Sequence, residues 1–426
     1  MKITALILVV ITLAAIVVLL VSVFPYFKAV SDLPQPQWSI SYTRVPTYVI
    51  TGSVASAQDE GNAVVQTTDG GYAIAGFWHD HGYAPHSGGV DNYTGVIMKT
   101  DSSGRVQWEK TWNTGYSGIN HRSIIQTSDS GFLFSNGNWL IKLDAEGTVE
   151  WSKNFDCYFR DVLQASDGDY VMAGEVMNKL MSGPDAFLLK TDEEGNQLWS
   201  RTFSVAPAWS RVDAVVETGY GGFAITGERG YAWFALTDSE GNLKLSQNFS
   251  ELDGWFSSIV RTRDGGFVLA GGTYLGGLDD QGLGLLAKVN SQGEMEWHQT
   301  YNLPPWEQRR AFKSVAQIGD GGYLAVGKVT LVKTDASGNV QWHLYDFDAD
   351  FEDAASVIST GDRGFAVVGS LNGNVWLTKF ASELAVPGGW ISSVWVIAVV
   401  AAVIVAGTVD VGLLFYFKKR TLSPEC

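Results

Sequence analysis

Histidine is concentrated in one short stretch of the chain. Three of the six histidines, His79, His81 and His86, lie within eight positions, with Asp80 between the first two. Neutral imidazole is a preferred ligand of Zn²⁺ and other transition metals, so a His-x-His pair with a third histidine could bind a divalent metal. The spacing matches no established metal motif, and a polar surface loop that contains histidines by chance is the alternative.

Tryptophan, tyrosine and arginine recur in the segments that the repeat pattern described below assigns to loops. Exposed aromatic rings with arginine nearby suit stacking on sugars or anchoring a protein partner. The alternative is that each ring covers its own sheet edge and each arginine pairs with a local acid. The candidate ligand-binding residues are Trp78, Tyr83, Tyr116, Trp209, Trp255, Tyr274, Trp306, Arg122, Arg160, Arg211, Arg309 and Arg310.

Other chemical signals are weaker. The acidic run at 346–353, "DFDADFED", could hold Ca²⁺ through carboxylate oxygens, but a solvated linker is the alternative because the run has no Gly-punctuated spacing. The triplets at Asn92 and Asn248 are glycosylation sequons. Cys157 and Cys426 are the two cysteines, so the chain has no internal disulfide framework. No nucleophile–base pair or phosphate-binding glycine loop supports an enzyme.

Seven copies of one unit provide the elements that must position these residues. Each copy begins with a turn and an aromatic-led apolar run, as in "DGGYAIAG" and "GDGGYLAVG", and continues with runs such as "VIMKTD" and "FLLKTD". Short Val-, Ile- and aromatic-rich runs bounded by Asp and Gly predict four β-strands per unit. The aromatic residues that mark the seven copies are Tyr72, Phe132, Tyr170, Phe223, Phe267, Tyr323 and Phe365.

Seven repeated four-stranded antiparallel sheets predict an all-β fold, a seven-bladed β-propeller over residues 32–386. In most units a tryptophan, such as Trp108 or Trp297, lies four residues after the last hairpin glycine. We expect these tryptophans to pack one blade on the next. The seventh unit lacks its fourth strand. The segment "PQWSISY" near the N-terminus has the pattern of a fourth strand, but no first three strands precede it. We therefore predict that the N-terminal strand closes the ring, since an open ring would leave an unpaired edge.

The segment "IKLDAEGTVEW" resembles the repeat of the pyrroloquinoline-quinone-like propellers. That family includes quinoprotein dehydrogenases and a propeller lipoprotein of bacterial outer-membrane assembly. The resemblance covers about ten residues in each of the seven units, with one residue fewer between Asp and Gly. The resemblance implies that these residues pack one blade against the next, and it says little about function. The dehydrogenases of that family use adjacent cysteines near the quinone, and this chain has no adjacent cysteines. No cofactor is firmly implied, and the divalent metal considered above is the one candidate.

Apolar segments flank the repeats. Residues 3–27 carry no charge and are long enough for a spanning helix, so we predict a transmembrane anchor within 1–27; a cleaved signal peptide is the alternative. Residues 390–417 predict a second transmembrane helix, and the basic residues after it place the tail, 418–426, in the cytoplasm. We therefore expect the propeller on the extracytoplasmic side of a cell membrane, with both termini cytoplasmic if the first helix is retained.

The predicted loops are unequal on the two faces of the propeller. Turns between strands one and two and between strands three and four are short, and they define the hairpin face. The other connections include insertions at 78–95, 177–186 and 272–284, and they define the looped face. Because long loops on a rigid scaffold usually carry binding, we expect a protein or glycan partner there, without catalysis. The net charge of −16 argues against nucleic acid. A metal-dependent or quinoprotein-like enzyme and an envelope-assembly scaffold remain alternatives.

Overall fold

A computed structural model describes residues 36–43, 59–84, 88–115, 123–177, 183–203, 210–274, 282–302, 311–328, 330–345 and 351–381. Side chains at 80–84, 88–92, 113–115, 345 and 351–352 lie outside the described set. The predicted segments 1–27, 390–417 and 418–426 also lie outside it. Among the residues that are described, no helix is long and apolar enough to cross a membrane.

Seven four-stranded antiparallel sheets confirm the predicted propeller. The closing strand is β1 (Pro36–Tyr42). Blade 1 contains β2 (Glu60–Gln66), β3 (Tyr72–Ala84), β4 (Gly88–Thr100) and β5 (Val106–Gly115). Blade 2 contains β6 (Ile124–Gln126), β7 (Phe132–Asn136), β8 (Trp139–Leu143) and β9 (Val149–Asn154). Blade 3 contains β10 (Tyr158–Gln164), β11 (Tyr170–Met177), β12 (Pro184–Thr191) and β13 (Gln197–Phe203).

The remaining blades repeat this order. Blade 4 contains β14 (Ser210–Glu217), β15 (Phe223–Arg229), β16 (Ala232–Thr237) and β17 (Leu243–Phe249). After a short 3₁₀ turn at Ser250–Leu252, blade 5 contains β18 (Gly254–Arg261), β19 (Phe267–Thr273), β20 (Gly284–Val289) and β21 (Met295–Tyr301). Blade 6 contains β22 (Phe312–Gln317), β23 (Tyr323–Gly327), β24 (Thr330–Thr334) and β25 (Val340–Tyr345). Blade 7 contains β26 (Phe351–Ser359), β27 (Phe365–Leu371) and β28 (Asn374–Phe380).

Strand β1 completes blade 7, as the sequence predicts. It pairs antiparallel with β28 from Trp38 opposite Lys379 to Tyr42 opposite Val375. The Trp376 indole N–H donates to Ser39 Oγ over 2.7 Å. The Tyr42 hydroxyl donates to the carbonyl of Gly104 in blade 1 over 2.8 Å. The N-terminal strand therefore joins the last blade to the first one.

The first strands form a closed inner ring, since β2, β6, β10, β14, β18, β22 and β26 contact one another in that order and back to β2. In several places a polar side chain on one first strand accepts a hydrogen bond from a backbone N–H of the first strand in the next blade. Val215 N–H donates to Asp161 Oδ2 over 2.9 Å, and Val357 N–H donates to Ser314 Oγ over 3.3 Å. Burial raises the pKa of Asp161 to about 6, although hydrogen bonds from Val215, Ser123 and Val162 oppose the rise.

Fourth-strand tryptophans form the contacts between blades, which confirms that they belong to the core. The six hairpin glycines that receive a fourth-strand side chain, a tryptophan in five cases and a leucine in one, have φ between +74° and +86°. A Cβ added at Gly338 would lie 2.7 Å from the Trp297 ring, so this position requires both the conformation and the size of glycine. The pairs are Trp38 on Gly104, Trp108 on Gly147, Trp151 on Gly195, Trp199 on Gly241, Leu245 on Gly293 and Trp297 on Gly338.

Six blades contain a buried lysine that the sequence analysis did not single out. Each lysine side chain is 0–8% exposed and lies 2.5–3.1 Å from an aspartate in the turn between strands one and two. Burial raises the pKa of Asp129, but hydrogen bonds from Lys142, Thr127 and the Gly131 N–H outweigh it and hold the pKa at about 2. The pairs are Lys99–Asp69, Lys142–Asp129, Lys190–Asp167, Lys288–Asp264, Lys333–Asp320 and Lys379–Asp362.

Blade 4 departs from this arrangement at three repeat positions. Leu236 stands where the other blades have lysine, and Tyr220 stands at the position of its aspartate partner. Leu245 takes the place of the fourth-strand tryptophan. The Tyr220 side chain is 82% exposed on the hairpin face.

We predict that Lys142→Met lowers the free energy of unfolding by about 2 kcal/mol at pH 7, since the ammonium group contacts Asp129, Glu150 and the Leu143 carbonyl. The ion pair with Asp129 contributes its full stabilisation above about pH 4, the ordinary pKa of an aspartate. This stabilisation is lost as the pH falls through about 2, the pKa of Asp129 in the folded protein. The difference between the two proteins should therefore shrink over that window, as measured by urea unfolding. Leu236→Met in blade 4 is the control, and an equal loss there would contradict the prediction.

Candidate functional site

Eight residues from blades 3, 4 and 5 form a connected group on the looped face, which we call the mouth cluster. In a four-stranded antiparallel blade the first strand starts, and the second strand ends, on the same face. Each member lies at one of those positions, beside the inner ring. The members are Tyr158, Arg160, Glu175, Arg211, Asp213, Glu228, Trp255 and Tyr274.

Ion pairs join blade 3 to blade 4. Arg160 contacts Glu175 of its own blade at 2.9 Å and Asp213 of the next blade at 3.2 Å. Arg211 contacts Asp213 at 2.9 Å and Glu228 at 3.3 Å. Asp213 therefore bridges the two guanidinium groups, one through each oxygen.

Burial sets the character of this network. The Asp213 side chain is 1% exposed, whereas Arg160 is 17% and Arg211 31% exposed. Burial lowers the pKa of Arg211, but the carboxylates of Asp213 and Glu228 outweigh it and raise that pKa above its ordinary value. The charged Arg211 guanidinium is thus held in a fixed position by its two carboxylate partners.

An aromatic pair joins blade 4 to blade 5. The Tyr274 hydroxyl donates to Glu228 Oε1 over 2.6 Å, and the Tyr274 ring centroid lies 4.9 Å from that of Trp255. The Tyr274 N–H donates to the carbonyl of Asp253, whose φ is +39°. A Cβ at Gly272 would lie 3.1 Å from the Trp255 ring, so this glycine leaves room for the indole.

The rim of the mouth cluster presents apolar surface. Tyr158 is 54% exposed at the start of β10, and Met177 is 60% exposed at the end of β11 in the same blade. Elsewhere on the looped face, Trp139 in blade 2 and Tyr231 in blade 4 are each 43% exposed. Fixed charges bordered by exposed aromatic rings can recognise a ligand without carrying out a reaction.

The structure brings together Arg160, Arg211, Trp255 and Tyr274 of the predicted ligand-binding residues. Both arginines pair with local acids, which was the alternative considered from the sequence. Trp78 lies elsewhere and packs partly buried in the core between blades 7 and 1. Tyr116, Trp209, Trp306, Arg122, Arg309 and Arg310 lie outside the described residues, as does the side chain of Tyr83.

The predicted metal site falls largely outside the described side chains. His79 is 4% exposed, and its ring stacks on Tyr93 with centroids 4.0 Å apart. The side chain of His81 and all of His86 are not described. Where side chains are described, no group of three or more His, Cys, Asp or Glu could hold a metal ion. The metal site stays a prediction.

The segment 78–95 is not the loop that the sequence analysis expected. Strands β3 and β4 continue through it, from Phe77 opposite Gly95 to Ala84 opposite Gly88. The prediction was wrong because the ladder continues past Phe77, where the Tyr93 ring stacks on His79 and packs edge-on against Phe77 across the hairpin. The other two insertions are shorter than expected, since β11 extends to Met177 and β20 begins at Gly284.

The sequon at Asn248 lies on β17, where the asparagine side chain is exposed. The side chain of Asn92 is outside the described set. Cys157 is buried, and burial raises its thiol pKa to about 12. Most of the acidic run, 346–350, is likewise not described.

Sequence reasoning missed the acids of the mouth cluster. Glu175 and Glu228 each directly follow the second-strand glycine in adjacent units, as Gly174-Glu175 and Gly227-Glu228. The other units have Phe77, Gly137, Gly272, Lys328 or Ser370 at this position. Comparing the units at that position would have found the two acids.

Comparison with known proteins shows the fold. The WD40 domain of Neurospora crassa Pan2 has a TM-score of 0.54 and 11% identity, over 81% of this chain and 94% of that chain. Inactive virginiamycin B lyase from Staphylococcus aureus, solved with quinupristin, has a TM-score of 0.52 and 9% identity, over 80% and 98%. BamB from Moraxella catarrhalis has a TM-score of 0.43 and 10% identity, over 82% and 98%. No family model and no curated protein matches the sequence.

The chain is thus a seven-bladed β-propeller closed by its N-terminal strand. At such low identities the likeness extends to the fold alone, and that fold serves both binding proteins and enzymes. The resemblance to pyrroloquinoline-quinone-like repeats stays a prediction.

Proposed function

We propose that this protein is a membrane-anchored binding propeller, which presents its looped face to a protein or glycan partner outside the cytoplasm. The mouth cluster is the observation that carries the proposal. Its ion pairs join blades 3 and 4, and the hydrogen bond from Tyr274 to Glu228 extends the cluster to blade 5. The Tyr158 ring is exposed beside it. Rigid aromatic and arginine side chains in fixed positions are the usual anchors of a binding surface.

The membrane part of the proposal rests on the sequence. The apolar segments 3–27 and 390–417 flank the propeller and have the length of spanning helices. Since β1 and β28 are neighbouring strands of blade 7, both chain ends leave the propeller from one blade. The start of β1 and the end of β28 lie side by side, with Pro36 opposite Phe380, which is compatible with an anchor at each chain end.

We predict that Tyr158→Ala combined with Trp255→Ala weakens partner binding by about tenfold or more, because it removes both aromatic anchors. The full-length protein, purified in detergent, would be applied to a glycan array and used to co-purify proteins from its source cells. Tyr220→Ala with Val149→Ala, which removes exposed apolar side chains outside the looped face, is the matched control. Equal binding by both variants would overturn the assignment of the looped face.

A further inference from the structure

We infer that the mouth cluster receives a cationic side chain, arginine or lysine, from a partner protein. This inference rests on the proposed function and names the chemistry of the partner. It follows from the charge of the cluster, the exposure of its acids and the placement of its aromatic rings.

Carboxylates outnumber guanidinium groups in the cluster. Three acids face two arginines, and each arginine already contacts two carboxylates. Each guanidinium group keeps N–H donors beyond these contacts, but its positive charge is already offset by two carboxylates. The cluster as a whole retains one negative charge.

The acids differ in what they can still bind. Asp213 is 1% exposed and bonded through both oxygens, so it is a structural bridge. Glu175 and Glu228 are 18% and 21% exposed, so both reach the surface. A carboxylate offers about four lone-pair positions, and the contacts with Arg160, Arg211 and Tyr274 leave some of them for another donor.

Each exposed acid has an aromatic neighbour. Tyr158 lies directly opposite Glu175 in the β10–β11 pair. The Tyr274 hydroxyl donates a hydrogen bond to Glu228, and the Tyr274 ring packs against the Trp255 ring. A carboxylate next to an aromatic face suits a guanidinium or ammonium group, which gains both an ion pair and a cation–π contact.

Tyr158, Arg211 and Trp255 occupy equivalent positions in the first strands of blades 3, 4 and 5. Each lies opposite, in the β-ladder, the residue that follows the second-strand glycine of its blade. The three side chains therefore form a row across adjacent blades. The net charge of −16 adds long-range attraction for a basic segment approaching this row.

The test uses full-length protein in detergent and fluorescein-labelled Gly/Ser peptides that carry either arginine or glutamate residues. Fluorescence anisotropy should show binding of the arginine peptide. Glu175→Gln with Glu228→Gln should weaken that binding by about tenfold, which corresponds to 1.4 kcal/mol. Glu146→Gln with Glu240→Gln makes the same change of charge on exposed hairpin-face acids and should alter it by less than about twofold.

Tyr158→Ala provides a second readout, because its half-exposed ring can be removed without breaking an ion pair. We expect it to weaken binding of the arginine peptide by about threefold to tenfold with an unchanged unfolding temperature. Equal losses in the two glutamine variants, or tighter binding of the glutamate peptide, would overturn the inference. The proposed function is judged separately by partner capture, which could still depend on Tyr158 and Trp255.

Discussion

Deletion of residues 36–42 is expected to abolish cooperative unfolding of the whole propeller. Without β1, blade 7 loses its fourth strand and β28 becomes an open edge. The contacts of Trp38 and Tyr42 with Gly104 disappear as well, so blade 1 loses its contact with the closing strand. The loss should exceed about 5 kcal/mol, which is the full stability of many domains.

Urea unfolding of the full-length chain, followed by tryptophan fluorescence, would measure this effect. The control replaces Gln37 and Ser41, whose side chains are exposed, by alanine and should keep the transition. Adding the peptide PQWSISY to the deleted protein should restore part of the cooperativity. A deletion that unfolds at the same urea concentration as the intact protein would refute closure by the N-terminal strand.

Gly338→Ala is expected to lower the free energy of unfolding by about 3 kcal/mol. The residue has φ +80°, and a left-handed conformation costs a non-glycine residue about 1–2 kcal/mol. The added methyl group would also lie 2.7 Å from the Trp297 ring, and such overpacking costs about 1–3 kcal/mol. The substitution therefore strains the hairpin and pushes blade 5 away from blade 6.

Gly321→Ala in the same blade separates these two effects. Its φ is +91°, but a Cβ there would have no atom within 4 Å. We expect a loss of about 1–2 kcal/mol from the conformation alone. If both variants lost the same stability, contact between tryptophan and glycine would not be what holds the blades together.

The fold was predictable because its information is local and repeated. The hairpin glycine, the aromatic-led strand and the fourth-strand tryptophan occur in a fixed order in the units. A strand that is ambiguous in one unit can therefore be assigned by comparison with the other units. The missing strand of the seventh unit and the unmatched Trp38 predicted the closure. Short turns of the Asp-x-x-Gly type predicted the hairpin face.

The buried lysines and the mouth cluster were harder to predict. Lys142 looks like a surface residue until its neighbours enclose it, and Asp129 is thirteen positions away. Arg160 and Asp213 are 53 residues apart, so their pairing depends on the radius and order of the ring. Residue type identified Arg160, Arg211 and Trp255 as candidates, but the partners that orient them follow from contacts between blades.

Closure by the N-terminal strand also determines when the domain can be completed during synthesis. Ser39 and Thr378 are bonded partners in blade 7 yet are 339 residues apart. At roughly 5–20 residues per second, the ribosome makes β1 many seconds before its partner strand β28 exists. Blades 1 to 6 have all their strands by then, whereas β1 must wait unpaired. Only a chain translated through Phe380 can therefore finish the ring, which makes the last step of folding a check that the whole propeller has been made.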